Sequence, residues 1–351
     1  MLHTWTWITW LIASLIAASG TRNPTYLILI FLCISLVNQD QRHRARLRAD
    51  ESLRILPIDP FRISIFIILI SSLVNAAFSH FGQTVLFSLP TWIPYLGGAI
   101  TIEAIVYGAI NGLVLACIFS AFITLNQALP VSSLIRLIPR AYHPIALVTS
   151  IAVTFIPASL RQFSQIREAQ AVRGHHVRGF SDWLPLLLPL LIGGLERALS
   201  LAEAMTARGF ASSQPIVNEM RTRLALIAGL LFTLAGWLLR LSSRWFELGS
   251  YLMVLGMIAI LGALWIVGRQ SPRTTYARQP WTKRDFLIIG LSMMVAAVFL
   301  LPIPGIATDS LRYNPYPQIS LPPFDPLIGT LILGLLAPLL NLGLSDQANQ
   351  T

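Results

Sequence analysis

The sequence predicts an all-α polytopic membrane protein with about eight transmembrane helices and a separate module of long amphipathic helices. Three observations lead there. Of 351 residues, 55% are hydrophobic and only 11% charged, against roughly 25% charged residues in an ordinary soluble domain. The mean hydropathy is +0.67. Several apolar runs reach the ~17–25 residues that a membrane helix requires. A transmembrane barrel would instead show ~10-residue segments of alternating polarity.

The apolar runs place membrane helices near 5–20, 24–38, 61–79, 102–125, 222–240, 248–268, 286–302 and 324–343. The second is short and reads as tilted, or as half of a tight hairpin with the first. The first lacks the basic start of a signal peptide and reads as a retained helix. Residues 126–221 behave differently. Their apolar runs, 144–158 and 183–195, each continue into a charged amphipathic segment. Runs of that length read as buried or interfacial rather than spanning. The chain is therefore expected to comprise N-terminal transmembrane helices (1–125), a cytoplasmic helical module (126–221), a core transmembrane pair (222–268), and a basic cytoplasmic loop with two additional helices (269–351).

The basic residues support this topology. The net charge of +10 comes from 25 Lys and Arg residues, of which only Lys283 is lysine. With 39–62, 126–223 and 269–284 in the cytoplasm, 21 of the 25 lie inside, and only Arg22, Arg240, Arg244 and Arg312 lie outside. That asymmetry follows the positive-inside rule and puts both termini in the cytoplasm. Making 144–158 and 183–195 into spans would move Arg161, Arg167, Arg173 and Arg178 outside. The same rule accounts for an arginine excess that would signal nucleic acid in a soluble protein, so no nucleic-acid partner is expected. The loop carrying Arg42, Arg44, Arg46 and Arg48 reads first as a topology determinant, beside anionic lipid.

One pattern stands out within 126–221. Glu168-Ala169-Gln170-Ala171-Val172-Arg173-Gly174 and Glu203-Ala204-Met205-Thr206-Ala207-Arg208-Gly209 share E-A-x-x-x-R-G at a spacing of 35 residues. Each copy closes an amphipathic helix, with Leu160, Phe163, Ile166 and Val172 on the apolar side of the first. Leu191, Leu195, Ala198, Ala202 and Met205 serve the second. Glycine readily takes the left-handed conformation that ends a helix. Arginine in the last turn is favoured by the helix dipole, and it presents five donors suited to carboxylates or carbonyls of a partner. Ala204 and Ala207 leave room for another backbone. Capping alone explains the Arg and Gly of a single copy; two matched copies in one cytoplasmic module point to docking surfaces.

These motifs, Phe155-Ile156-Pro157 before the first, and Glu196-Arg197-Ala198 leading into Ala207-Arg208-Gly209-Phe210, resemble the transmembrane T component of energy-coupling factor (ECF) transporters, the cobalt-transport permease family. Its signature is two Ala-Arg-Gly motifs ending two cytoplasmic coupling helices. Ala207-Arg208-Gly209 matches in full; the first copy has Val172 for Ala. The resemblance covers 110–215 best, and the two C-terminal helices read as an addition. It implies a non-catalytic coupling subunit in a bacterial or archaeal cell (inner) membrane. Its partners would be two cytoplasmic ABC-type ATPases, which use the ATP, and a small substrate-binding integral membrane protein, the S component. Cargo would be a vitamin or transition-metal ion. The ATPase-docking residues implied are Glu168, Arg173, Gly174, Glu203, Ala207, Arg208 and Gly209. If the segment after Gly268 is an addition, its removal leaves ATPase binding intact.

No directly bound cofactor, catalytic group or metal is expected. The sequence has no G-x-x-x-x-G-K-[ST] loop, so ATP use is expected in partners. His175-His176 lack nearby acidic or thiol partners and read as a solvated turn. Cys33 and Cys117 read as small core residues. Glu103 reads as a helix N-terminal charge at the external interface, and Gly108-x-x-x-Gly112 as a close-contact site for another helix, with the S component as a candidate. A self-contained secondary transporter is the alternative, but that class needs inverted repeats and broken helices at mid-membrane.

Overall fold

The structure, a computed structural model, describes residues 2–47, 60–79, 81–88, 98–137, 143–174, 179–209, 219–241, 245–270, 280–301, 308–317 and 320–340. The chain forms two compact units, one of Met1–Pro130 with Arg278–Thr351 and one of Val131–Ala277. Helices α1 (Thr4–Gly20), α2 (Pro24–Leu47), α3 (Pro60–Phe78), α4 (Ile102–Ala128), α10 (Lys283–Leu300) and α11 (Pro326–Ile332) belong to the first unit, with a small antiparallel pair, β1 (Val85–Ser88) and β2 (Ala99–Thr101), leading into α4. The second unit holds α5 (Val131–Ile135), α6 (His143–Val172), α7 (Leu184–Ala207), α8 (Glu219–Arg240) and α9 (Phe246–Gln270).

Among the described residues, six helices are long and apolar enough to cross a membrane: Pro60–Phe78, Ile102–Ala128, Ile145–Val172, Leu184–Ala207, Arg223–Arg240 and Phe246–Ile266. The chain is an all-α, multi-pass membrane protein, but the expected eight spans are not what length and composition give. Two of the six were read from sequence as too short. The apolar runs there do end near 158 and 195, yet the helices continue through Pro157 and Pro189. Length therefore does not exclude them; the arginine distribution is the remaining argument against spanning. The segment 324–343 is corrected in the opposite direction. Its helix stops at Ile332 and tightens into a 3-10 stretch, Leu333–Leu339, that contains Pro338. This falls short of the ~20 residues a span needs. The basic loop is corrected too. Arg42 and Arg44 lie on α2, which runs to Leu47, with Arg44 bonded to Asp40 one turn earlier at 2.8 Å, an arrangement that supports a helix. Arg48 lies outside the described residues.

The C-terminal segment is tied to the first two helices by buried polar contacts. Trp10 on α1 is fully buried, and its Nε1 donates to the Leu335 carbonyl at 2.9 Å. Asn23, in the α1–α2 turn, donates to the carbonyls of Ser310 (2.8 Å) and Pro323 (2.6 Å). Tyr26 Oη accepts the Asp325 amide at 2.7 Å. At the other end of α1, the Asp285 carboxylate accepts from Thr282, the capping residue of α10, and from the His3 amide (2.9 Å) and Thr6 hydroxyl (2.8 Å). Buried polar groups left without partners are costly, so this end of the chain is structurally committed to α1 and α2.

Helix pairs close where side chains vanish. Gly108 and Gly112 press α4 against α3: an added Cβ would meet Ser71 O and Ile68 Cα at 2.7 Å. Ser71 and Ser72 hydroxyls donate to the carbonyls of Gly108 (2.8 Å) and Ile105 (3.0 Å). The G-x-x-x-G is thus filled from within, by α3 rather than by another subunit. In the second unit, Gly229 and Gly236 on α8 oppose Gly256 and Gly249 on α9, and a Cβ at Gly236 would lie 2.7 Å from Gly249 O. The seven-residue spacing puts each glycine pair on one helical face.

Two outcomes are expected. Gly236→Ala forces the α8 and α9 backbones apart and lowers stability by about 1–3 kcal/mol, whereas Gly262→Ala, where nothing lies within 4 Å, does not destabilise; thermal unfolding in detergent compares them. Deleting residues 280–351 is expected to expose Trp10 and Tyr26 and to lower the unfolding temperature of the inserted protein, because both bond to that segment. A truncated chain that unfolds like the full one would refute that reading.

Candidate functional site

Both E-A-x-x-x-R-G copies fall at helix ends. Helix α6 ends at Val172 and α7 at Ala207, each followed by Arg-Gly. Gly174 and Gly209 have φ of 80° and 77°, the left-handed region that costs other L-residues ~1–2 kcal/mol. Their amides donate to Ala171 O and Thr206 O, both at 2.9 Å. The Arg173 and Arg208 amides donate to Gln170 O (3.1 Å) and Ala204 O (3.3 Å). The last carbonyls of each helix are thereby used and the chain turns sharply away. The predicted closure is what the backbone does.

The tips are open. Glu168, Arg173, Gly174, Glu203, Ala207, Arg208 and Gly209 are all exposed within their unit. Val172, the one departure from Ala-Arg-Gly, is 90% exposed. Within this unit its side chain stands in the open, at the helix tip. Nothing lies within 4 Å of a Cβ at Gly174. Each tip offers an arginine, an acid one and a half turns earlier and a bare glycine. His175 and His176 lie outside the described residues. Among the described residues no group of three or more His, Cys, Asp or Glu side chains is placed to hold a metal ion.

The two motif-bearing helices pack against each other. Phe163 stacks on Trp183, with ring centroids 6.2 Å apart and planes 13° from parallel. Arg197 Nη2 donates to Gln162 Oε1 at 2.7 Å, and the Arg197 guanidinium lies 5.8 Å from the Phe155 ring centre. An apolar groove of ~370 Å³ continues along the seam, lined by Val148, Ile151, Ala152 and Phe155 from α6 and Ala198, Leu201, Ala202 and Met205 from α7. Rising numbers on one helix meet falling numbers on the other, so the helices run antiparallel. At ~1.5 Å per residue, α6 extends ~26 Å beyond Phe155 to Val172, and α7 ~14 Å beyond Ala198 to Ala207. The two tips therefore point away from the contact in opposite directions.

The amphipathic faces read from sequence divide in two. Ala198, Ala202 and Met205 line the groove that faces α6, and Phe163 stacks on Trp183. Leu160, Leu191 and Leu195 stay exposed. The residues that fix the contact, Gln162, Gly193 and Arg197, were not singled out as a group. The signals available were the Glu196-Arg197-Ala198 stretch and a glycine one turn before its arginine.

Glu103 is fully buried in the first turn of α4. It is a helix N-terminal carboxylate, as read from the sequence, and it also accepts the Thr84 amide (3.1 Å) and hydroxyl (2.7 Å), which ties α4 to the segment entering the strand pair. Asn111 accepts a hydrogen bond from the Arg22 guanidinium.

Comparison with known proteins bears on these helices directly. The family model of the cobalt transport protein, CbiQ, matches residues 3–218, which include both tips. The chain is 40% identical over 72 residues to an energy-coupling factor transporter transmembrane protein, EcfT, of Leuconostoc gelidum, covering 19% of this chain and 27% of that protein. It is 29% identical over 170 residues to the EcfT of Bacillus selenitireducens, covering 43% and 60%. Over 196 residues it is 26% identical to an EcfT of Listeria monocytogenes, covering 50% and 71%. The chain thus spans less than two thirds of the length of the first two relatives. With the family match covering more than half of its residues, the chain belongs to the cobalt transport protein (CbiQ) family, the group that its paired Arg-Gly helix ends resemble.

Proposed function

We propose that this chain is the transmembrane T component of an ECF-type importer. In this reading it catalyses nothing itself. Two cytoplasmic ABC-type ATPases bind the tips of α6 and α7, with Arg173 and Arg208 as anchors and Glu168, Glu203, Gly174, Ala207 and Gly209 shaping the contact. Closure of the ATPases on ATP moves the two helices. The movement passes to a separate small membrane protein that carries the vitamin or metal ion inward. The chain sits in a bacterial or archaeal cell membrane with both termini in the cytoplasm, as the distribution of its basic residues favours.

The observation that carries this reading is the pair of exposed, glycine-closed arginine tips on two helices in direct contact. A guanidinium at a helix end is well suited to a carbonyl- or carboxylate-lined groove. A displacement at either tip reaches the other helix through the seam, in the manner of hinge and shear motions.

Arg208→Glu is expected to leave the protein inserted but weaken ATPase binding; truncation of such an anchor costs about 2–4 kcal/mol at an interface hot spot. Co-purification of ATPases with the tagged variant checks it, and an intact, active complex would refute the assignment. Replacing both Arg173 and Arg208 by alanine is expected to reduce uptake further than either change alone, as measured by transport into whole cells.

A further inference from the structure

The family reading concerns the tips; the crossing point between them carries a different inference. We propose that Arg197 is a positioning residue whose bond to Gln162 sets the splay of the two arginine tips. This rests on the coupling reading given above.

Four observations converge on it. Arg197 lies at the seam, bonded to Gln162 at 2.7 Å and set over Phe155. Gly193, one turn before it, makes space for that bond, because a Cβ there would collide with the Gln162 amide. The groove beside it is apolar, with the small side chains of Ala152, Ala198 and Ala202 among larger ones such as Ile151 and Leu201, and among the described residues it offers no second polar contact to hold the register. Finally, Pro157 lies within α6 between Phe155 and Gln162 and removes a rung of the helix ladder beside the crossing.

The bond is also incomplete. Arg197 Nη1 is buried and has no hydrogen-bond partner. A buried charged donor without an acceptor is costly, so any rearrangement that brings an acceptor to Nη1 competes with the arrangement seen. A seam with one polar pin, small apolar neighbours and an unmet donor is suited to two discrete positions. The tips amplify the change: a rotation of about 10° at the pin moves the Val172 end by ~3 Å over the ~15 Å arm from Gln162.

The test uses the full chain in lipid nanodiscs, with Cys33 and Cys117 replaced by alanine and spin labels at Val172→Cys and Thr206→Cys. The label–label distance distribution is the readout. Arg197→Met and Gln162→Leu are each expected to shift or broaden it, and the double variant to do no more than either single one, because both remove the same contact. Arg197→Lys is expected to restore part of the original distribution, and Gln162→Glu to narrow it. Should Arg197→Met fail to insert, Gly193→Ala displaces the Gln162 amide and gives the same reading. With the tips unchanged, co-purification of ATPases is expected to persist while uptake falls at least fivefold. Unchanged distances in Arg197→Met and Gln162→Leu would overturn the proposal. Distances that change as expected in a chain that binds no ATPase would instead refute the coupling reading and leave the pin standing.

Discussion

Apolar helices gain little by meeting one another in lipid, which is as apolar as they are. What decides their pairing is how closely two backbones approach and which polar groups bond across the gap. Most of this molecule depends on that constraint. Helices α3 and α4 meet through Gly108 and Gly112, with Ser71 and Ser72 bonding to the α4 backbone. Helices α8 and α9 meet through four glycines in register. The C-terminal segment reaches α1 and α2 through Trp10, Asn23, Tyr26 and Asp285. These contacts leave no room for sliding. The α6–α7 seam has small residues as well, but there Gly193 admits a side chain, Gln162, rather than a facing backbone, and alanines line the groove beside it. Rigidity is therefore unequal across the fold, and the looser seam joins the two exposed tips.

The tips follow from a second constraint. A helix end leaves carbonyls unpaired, and a glycine with positive φ turns its own amide back onto one of them. The same turn places the preceding arginine at the outermost point of the helix. One backbone solution thus ends the helix and displays a cation, and its appearance twice, on contacting helices, links local capping to the proposed coupling.

Much of this was legible in the chain. Helix ends at Gly174 and Gly209 could be read because glycine after arginine has one dominant local meaning, and the structure gives both the expected backbone. The four spans over α3, α4, α8 and α9 were legible because they are uninterrupted apolar runs. Other features were hidden for identifiable reasons. The apolar runs 144–158 and 183–195 give way to charged amphipathic segments, but the helices continue through those segments, so apolar run length understated α6 and α7. Leu333–Leu339 reads as the continuation of an apolar helix, yet it tightens to 3-10 geometry over Pro338. The partners of Gly108 and Gly112 could not be assigned from a spacing that any close helix satisfies. Arg197 stood out only as part of Glu196-Arg197-Ala198 in the family resemblance; its contacts were hidden, since neither Gln162 nor Phe155 is near it in sequence. The docking role assigned to Arg173 and Arg208 concerns a surface that meets nothing within its unit, and it is decided by what binds there.

The most direct test is to isolate the unmodified, tagged chain from its native membrane in mild detergent and identify its companions by mass spectrometry. The account predicts one or two P-loop ATPases together with a small polytopic membrane protein. Recovery of the chain alone, or only with copies of itself, under conditions that keep other transporters assembled, would contradict it.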